Sequence, residues 1–214
     1  MSVVRFEDRR VILASKSPRR LDLMRRVGFD PVVMAGSVDE EARDDETPQA
    51  YTERLAAEKA DYVVSMCAGE DRGNLPMWVL AADTVVVLDD SILEKPGSES
   101  EAVEMLMRLS GRWHTVVTSF CWRHRSDERM SVRTVSSRVY FRKLREETIA
   151  RYVATGEPMD KAGAYGIQDI GATLVREVQG SYFTVVGLPV CEVVEELESL
   201  GGLREYPFSG GGVT

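Results

Sequence analysis

The sequence is poor in the residues that most often announce a chemistry. Of 214 residues, three are cysteine and two are histidine. Cys67, Cys121 and Cys191 are odd in number and lack metal-like spacing, so neither a disulfide framework nor a zinc site is expected. Buried, reduced thiols in a cytoplasmic protein are the plain expectation. His114 and His124 are placed for neither a metal pair nor a Ser-His-Asp triad, and neither is a candidate for catalysis. No apolar run approaches the roughly 20 residues of a membrane span. The opening MSVVRFEDRR has no apolar core with a small-residue cleavage site, and a secretory signal is not expected. No Walker A sequence, no Rossmann glycine fingerprint and no internal repeat occurs. Excess positive charge is absent too. A formal net charge of −8 argues against a surface that coats nucleic acid. A polyanion then requires a local cluster of Lys and Arg, or a metal.

What is present is a globular composition, 43% hydrophobic, long enough for one large domain or two small lobes sharing a cleft. An apolar run at 11–14 leads into a helix, and a second run follows at 31–35. After an acidic stretch, Thr47-Pro48 opens a helix expected to reach Met66, with Tyr51, Leu55 and Tyr62 facing inward. Residues 69–76 (GEDRGNLP) read as an exposed loop. The run 78–88 is apolar except at Asp83 and Thr84, and Ser98 caps a helix with Ala102, Leu106 and Leu109 on one face. Two long strands are expected at 113–122 and 131–141, then a helix at 148–154 and a glycine-rich segment at 163–171. Further strands are expected near 172–178 and 182–186, and Pro189 starts a last helix. The pattern predicts a mixed α/β fold, a long twisted sheet flanked by helices, in two lobes with a central cleft. Residues 1–208 are expected to form a single domain, with a flexible tail at 209–214.

The sharpest local signal is Ser15-Lys16-Ser17-Pro18-Arg19-Arg20. Ser17 is a good N-cap and Pro18 suits the first helical position, so strand turns straight into helix. Orphan N–H groups and the positive dipole end then point at one spot, where two arginines are unfavourable. An anion between them resolves the conflict, phosphate being the usual one. The alternative is a capped helix with two solvated arginines. Asp83 interrupts an apolar run, so it is either paired, metal-bound or hydrogen-bonded at a strand end. Glu40 stands out from its acidic neighbours only if it joins Asp83 around a cation. Two carboxylates and a phosphate oxygen make a reasonable magnesium shell. Lys59 and Lys95 each read alone as surface lysines, and Gln168 either reads a base edge or belongs to a polar turn.

Six segments taken in order resemble the Maf family of nucleoside triphosphate pyrophosphatases. They are LASKSPRR (13–20), VDE (38–40) with AAEKA (56–60), AADTVV (81–86), LEKP (93–96), GEPMDKAGAYGIQ (156–168) and GSYFTVVGLP (180–189). The resemblance spans about residues 10 to 200 and implies a fold of the Maf and inosine triphosphatase type. It implies cleavage of a nucleotide between its α- and β-phosphates, releasing pyrophosphate and a monophosphate. AADT with AGAYGIQ resembles the branch acting on dTTP and UTP, with modified uridine nucleotides also in view. By that resemblance Asp83 is the proton acceptor, and Arg19, Thr84 and Gln168 set base choice. Ser15, Arg20, Glu40, Lys59 and Lys95 fall on the remaining polar site positions, with Glu40 and Asp83 holding magnesium or manganese. Whether Asp83 is base, metal ligand or both stays open. The same reaction on another base such as 7-methyl-GTP, and a nucleotide-binding regulator of septum formation, are the competing readings. The implied partner is the nucleotide, in the cytoplasm, without nucleic acid or membrane, and with a homodimer suggested.

Overall fold

The computed structural model describes residues 9–43, 46–68 and 74–207. The expected tail and most of the loop at 69–76 lie outside these. The chain alternates at first: strand β1 (Arg10–Leu13), helix α1 (Pro18–Arg26), strand β2 (Asp30–Val33) and helix α2 (Pro48–Met66). Strands β3 (Trp78–Leu88) and β4 (Ser91–Leu93) then precede helix α3 (Glu99–Leu109). A long hairpin follows, β5 (Trp113–His124) and β6 (Met130–Phe141), then α4 (Glu146–Val153), β7 (Val175–Gln179), α5 (Tyr182–Val186) and α6 (Val190–Ser199). Among the described residues, no helix is long and apolar enough to cross a membrane.

One mixed sheet of seven strands organises the molecule, in the order β2-β1-β3-β5-β6-β7, with β4 also on β3. The β1 strand lies parallel to both neighbours, and all other pairs are antiparallel. Period-two alternation along β3 splits its side chains between two layers. Leu80, Ala82, Val86 and Leu88 enter the main core with α3, α4 and α6, whereas Val79 and Ala81 pack beneath α2. Asp83 therefore falls on the α2 face and Thr84 on the opposite one.

The pairing of β3 explains where the cleft forms. The short β1 reaches only Val79 and Leu80, and β4 joins at Val86, Val87 and Leu88. Between them the β3 edge at residues 81–85 has no strand partner among the described residues. An unpaired edge exposes backbone groups that something must satisfy.

Four expectations need correction. Tyr62 is 41% exposed instead of facing inward. The buried stripe of α2 moves from Tyr51 and Leu55 to Ala56, Ala60 and Val63 as the helix crosses the twisted sheet, and Tyr62 falls off it. Residues 182–186 form a short helix, not a strand. Gly187, at φ 113°, closes it by donating to the carbonyls of Phe183 and Thr184, a left-handed stop suited to glycine. The strand expected from residue 172 begins at Val175, after a 3-10 turn at Ile170–Leu174. Cys67 and Cys121 are buried and free, but Cys191 is exposed.

Candidate active site

The turn after β1 has the geometry its residues predict. Ser17 is extended, its hydroxyl accepts from the Arg20 amide, and Pro18 occupies the first turn of α1. No acid lies in that first turn. Arg19 and Arg20 leave it in different directions and do different things.

Arg20 turns inward and is partly buried. Its Nη1 donates to the Ala82 carbonyl at 2.8 Å and to Ser15 Oγ at 3.1 Å. Its Nε donates to the Gly187 carbonyl at 2.9 Å, and Nη2 to Thr84 Oγ1 at 3.1 Å. The guanidinium thereby caps the unpaired β3 edge and ties α1, β3 and the end of α5 together. Burial pushes its pKa down, with the Asp83 charge opposing that shift. The conflict between a basic pair and a helix N-terminus is met here by protein acceptors.

The same contacts fix a proton direction. Arginine only donates, so Thr84 Oγ1 accepts from it. Thr118 Oγ1 donates to the Thr184 carbonyl at 2.9 Å. The 2.9 Å contact between the two threonine hydroxyls must then be donated by Thr84. What Thr84 retains toward the cleft is acceptor capacity.

Arg19 stays nearer the surface and reaches across to Asp160 Oδ2 at 3.1 Å, on the far wall. Asp160 also holds Lys161 at 2.6 Å. Burial raises the Asp160 carboxyl pKa, but hydrogen bonds from Lys161 and Arg19 outweigh it and hold it low.

On the α2 face, Lys59 projects between two carboxylates. Its ammonium is 2.7 Å from Asp83 Oδ1 and 2.6 Å from Glu40 Oε1. Asp83 and Lys59 side chains are only 14% and 17% exposed, so this pair is shielded from solvent far more than Glu40 is. Burial raises the Glu40 pKa, yet the hydrogen bond and charge of Lys59, with Lys95 and Arg20 further off, bring it below the usual carboxylate range. The segment carrying Glu40 is anchored to α2, since Tyr51 donates to the Glu40 carbonyl at 2.8 Å and Arg54 to that of Glu41 at 3.1 Å.

These groups line one cleft of about 600 Å³, which brings together every site residue expected from the sequence: Ser15, Arg19, Arg20, Glu40, Lys59, Asp83, Thr84, Lys95 and Gln168. Six basic and three acidic side chains line it, a local charge of +3 in a chain of −8. Such a concave, positive site suits a polyanion. No group of three or more His, Cys, Asp or Glu side chains fit to hold a metal occurs among the described residues. Glu40 and Asp83 nevertheless converge on one cation, the Lys59 ammonium. Two such oxygen donors, with phosphate oxygens completing the shell, fit a hard divalent ion.

A family profile described as "Maf-like protein" matches residues 10–200. The chain belongs to the Maf family. Relatives named dTTP/UTP pyrophosphatase align along nearly all of it. The one from Geobacter metallireducens is 44% identical over 92% of this chain and 99% of its own. Those from Desulfotalea psychrophila and Neisseria meningitidis serogroup B are 45% and 42% identical, over 89% and 88% of this chain and 94% and 93% of theirs. Among solved structures, the Staphylococcus aureus Ham1 protein overlaps 62% of this chain and 71% of its own at a TM-score of 0.43 and 14% identity, too partial a likeness to bear on the fold.

Sequence reasoning missed several members of this Maf-family site. Asp160, Lys161 and Tyr165 line the cleft, and Thr118 orients Thr84. Tyr165 is held from behind by His114, whose Nε2 lies 2.8 Å from its hydroxyl, and burial lowers the His114 pKa to about 4. Asp160, Lys161 and Tyr165 all belong to the GEPMDKAGAYGIQ segment, so the signal was present. Nothing in Thr118 or His114 as sequence distinguishes them from other strand residues.

Proposed function

We propose that this protein hydrolyses dTTP and UTP to the monophosphate and pyrophosphate, in the cytoplasm. The observation that carries this reading is Asp83, a shielded carboxylate 2.7 Å from Lys59 in a cleft of net positive charge. The names of the relatives, which align with about nine tenths of the chain, support the choice of nucleotide.

In this reading the triphosphate lies along Arg19, Lys59 and Lys95, whose charges offset its own and stabilise the charge built up during attack. Asp83 orients the attacking water and accepts its proton. The water oxygen bonds to the α-phosphorus, the bond to the α–β bridging oxygen breaks, and pyrophosphate leaves with that oxygen. Arg20 holds Ser15 and Thr84 in place from inside. Glu40 and Asp83 would hold a divalent cation, magnesium or manganese, which supplies Lewis-acid stabilisation at the phosphoryl oxygens. Thr84 offers an acceptor and Gln168 an amide edge, a pairing suited to thymine and uracil, whose ring N–H donates beside two carbonyl acceptors.

The test is direct. Pure protein incubated with dTTP and magnesium should release dTMP and pyrophosphate. Release of dTDP and orthophosphate instead would refute the reading, and a nucleotide panel ranked by kcat/KM places dTTP and UTP against 7-methyl-GTP.

A further inference from the structure

Residues 166–171, the loop bearing Gln168, are gripped by a tyrosine and a glutamate that do not themselves line the cleft. The Gly166 amide, two residues before Gln168, donates to Tyr152 Oη at 3.1 Å. Two and three residues after it, the Ile170 and Gly171 amides donate to Glu157 Oε2 and Oε1, each at 3.0 Å. Tyr152 Oη in turn donates to Glu157 Oε1 at 2.9 Å, joining the two grips. Tyr152 is 3% exposed and rooted in the core on α4. A Cβ on Gly171 would run into the Gly166 carbonyl and, at 2.5 Å, the Tyr152 hydroxyl, so the two ends of the loop touch where only glycine fits.

We propose that Tyr152 and Glu157 are positioning residues for nucleobase selectivity: by pinning the backbone on both sides of Gln168 they fix where its amide meets the base. This rests on the assignment of Gln168 as the base reader made above. Three hydrogen bonds converge on the Glu157 carboxylate, and charge-assisted bonds are roughly twice as strong as neutral ones. Selection between pyrimidines depends on hydrogen-bond donors and acceptors being held in register, so a loosened loop loses discrimination before it loses hydrolysis. The triphosphate groups Arg19, Lys59, Asp83 and Lys95 stand on other elements and receive no hydrogen bond from this pair.

The experiment compares kcat/KM for dTTP and dCTP in the wild type, Glu157→Gln, Tyr152→Phe, Gln168→Ala and the Glu157→Gln/Gln168→Ala double variant. Each single variant should lower the dTTP-to-dCTP ratio about tenfold, chiefly through the KM for dTTP. The double variant should discriminate no worse than Gln168→Ala alone, because both act through one amide. Tyr152→Phe keeps the buried ring and decides the matter if Glu157→Gln fails to fold. A change in thermal stability with the ratio unaltered would overturn the proposal, as would effects that add in the double variant. A ratio that survives Gln168→Ala overturns the role of Gln168 and this inference with it. A wild type with no preference for dTTP overturns the substrate reading itself, whereas a selective wild type with equally selective Tyr152 and Glu157 variants overturns only the clamp.

Discussion

At the end of the cleft where Lys59 of α2 meets Asp83 of β3 and Glu40, side chains are held by one another's charge. At the other end, residues 160–168, the chain runs through short 3-10 turns at Glu157–Asp160 and Ala162–Ala164 and is held by hydrogen bonds to its backbone. The first arrangement suits a triphosphate, whose charge is large and whose recognition tolerates several rotamers of lysine. The second suits a flat base, where the position of one amide decides between a donor and an acceptor. Arg19 and Asp160 span the gap with a single ion pair.

The comparison is broken most severely at Asp83. Asp83→Asn should lower kcat about a thousandfold, within the range for losing a general base, while leaving the fold intact because Lys59 keeps Glu40. A loss below tenfold in steady-state assays would remove Asp83 from the chemistry. Arg20→Leu should instead act on stability, by about 3 kcal/mol, since it strands the Ala82 and Gly187 carbonyls. Urea unfolding reads this, and Arg20→Lys should recover only part because an ammonium lacks the fork.

On the base side, His114 gives a pH test. Its pKa falls from 6.5 to about 4 on burial, so the folded protein keeps the ring neutral while the unfolded chain binds a proton first. Wild-type stability contributed at this site is complete above pH 6.5 and declines toward pH 4. The stability difference between wild type and His114→Gln should therefore shrink by about 2 kcal/mol between pH 7 and pH 5, measured by urea midpoints. A difference constant with pH would show that the ring titrates normally. The smallest effect is expected where the two ends meet. Asp160→Asn frees Arg19 from an exposed pair, so stability should change by less than about 1 kcal/mol. The KM for dTTP should fall about threefold as a competing carboxylate is removed. A rise in KM would mean that Asp160 aims Arg19 at the substrate.

Much of this was legible in the residues because it depends on local rules. Ser17 and Pro18 specify the start of α1, Asp83 announces itself by interrupting an apolar strand, and the hairpin of β5 and β6 follows from β-rich runs around a polar turn. Tyr182–Val186 misled because its residues suit a strand, whereas the backbone closes into a short helix stopped at the left-handed Gly187. Tyr62 misled because a helix crossing a twisted sheet does not bury one straight stripe.

By itself the sequence determined the anion-seeking turn, the carboxylate in β3 and the membership of every expected site residue in one family pattern. Only the tertiary structure decided what each charge does. Adjacent strand residues face opposite layers, so Asp83 meets Lys59 while Thr84 meets Arg20. Adjacent helix residues point apart, so Arg20 is consumed by the unpaired edge of β3 and Arg19 is left to cross the cleft. Local chemistry fixes which groups exist and how the chain turns. The partners come from pairings 24 to 167 residues apart, which no local rule encodes.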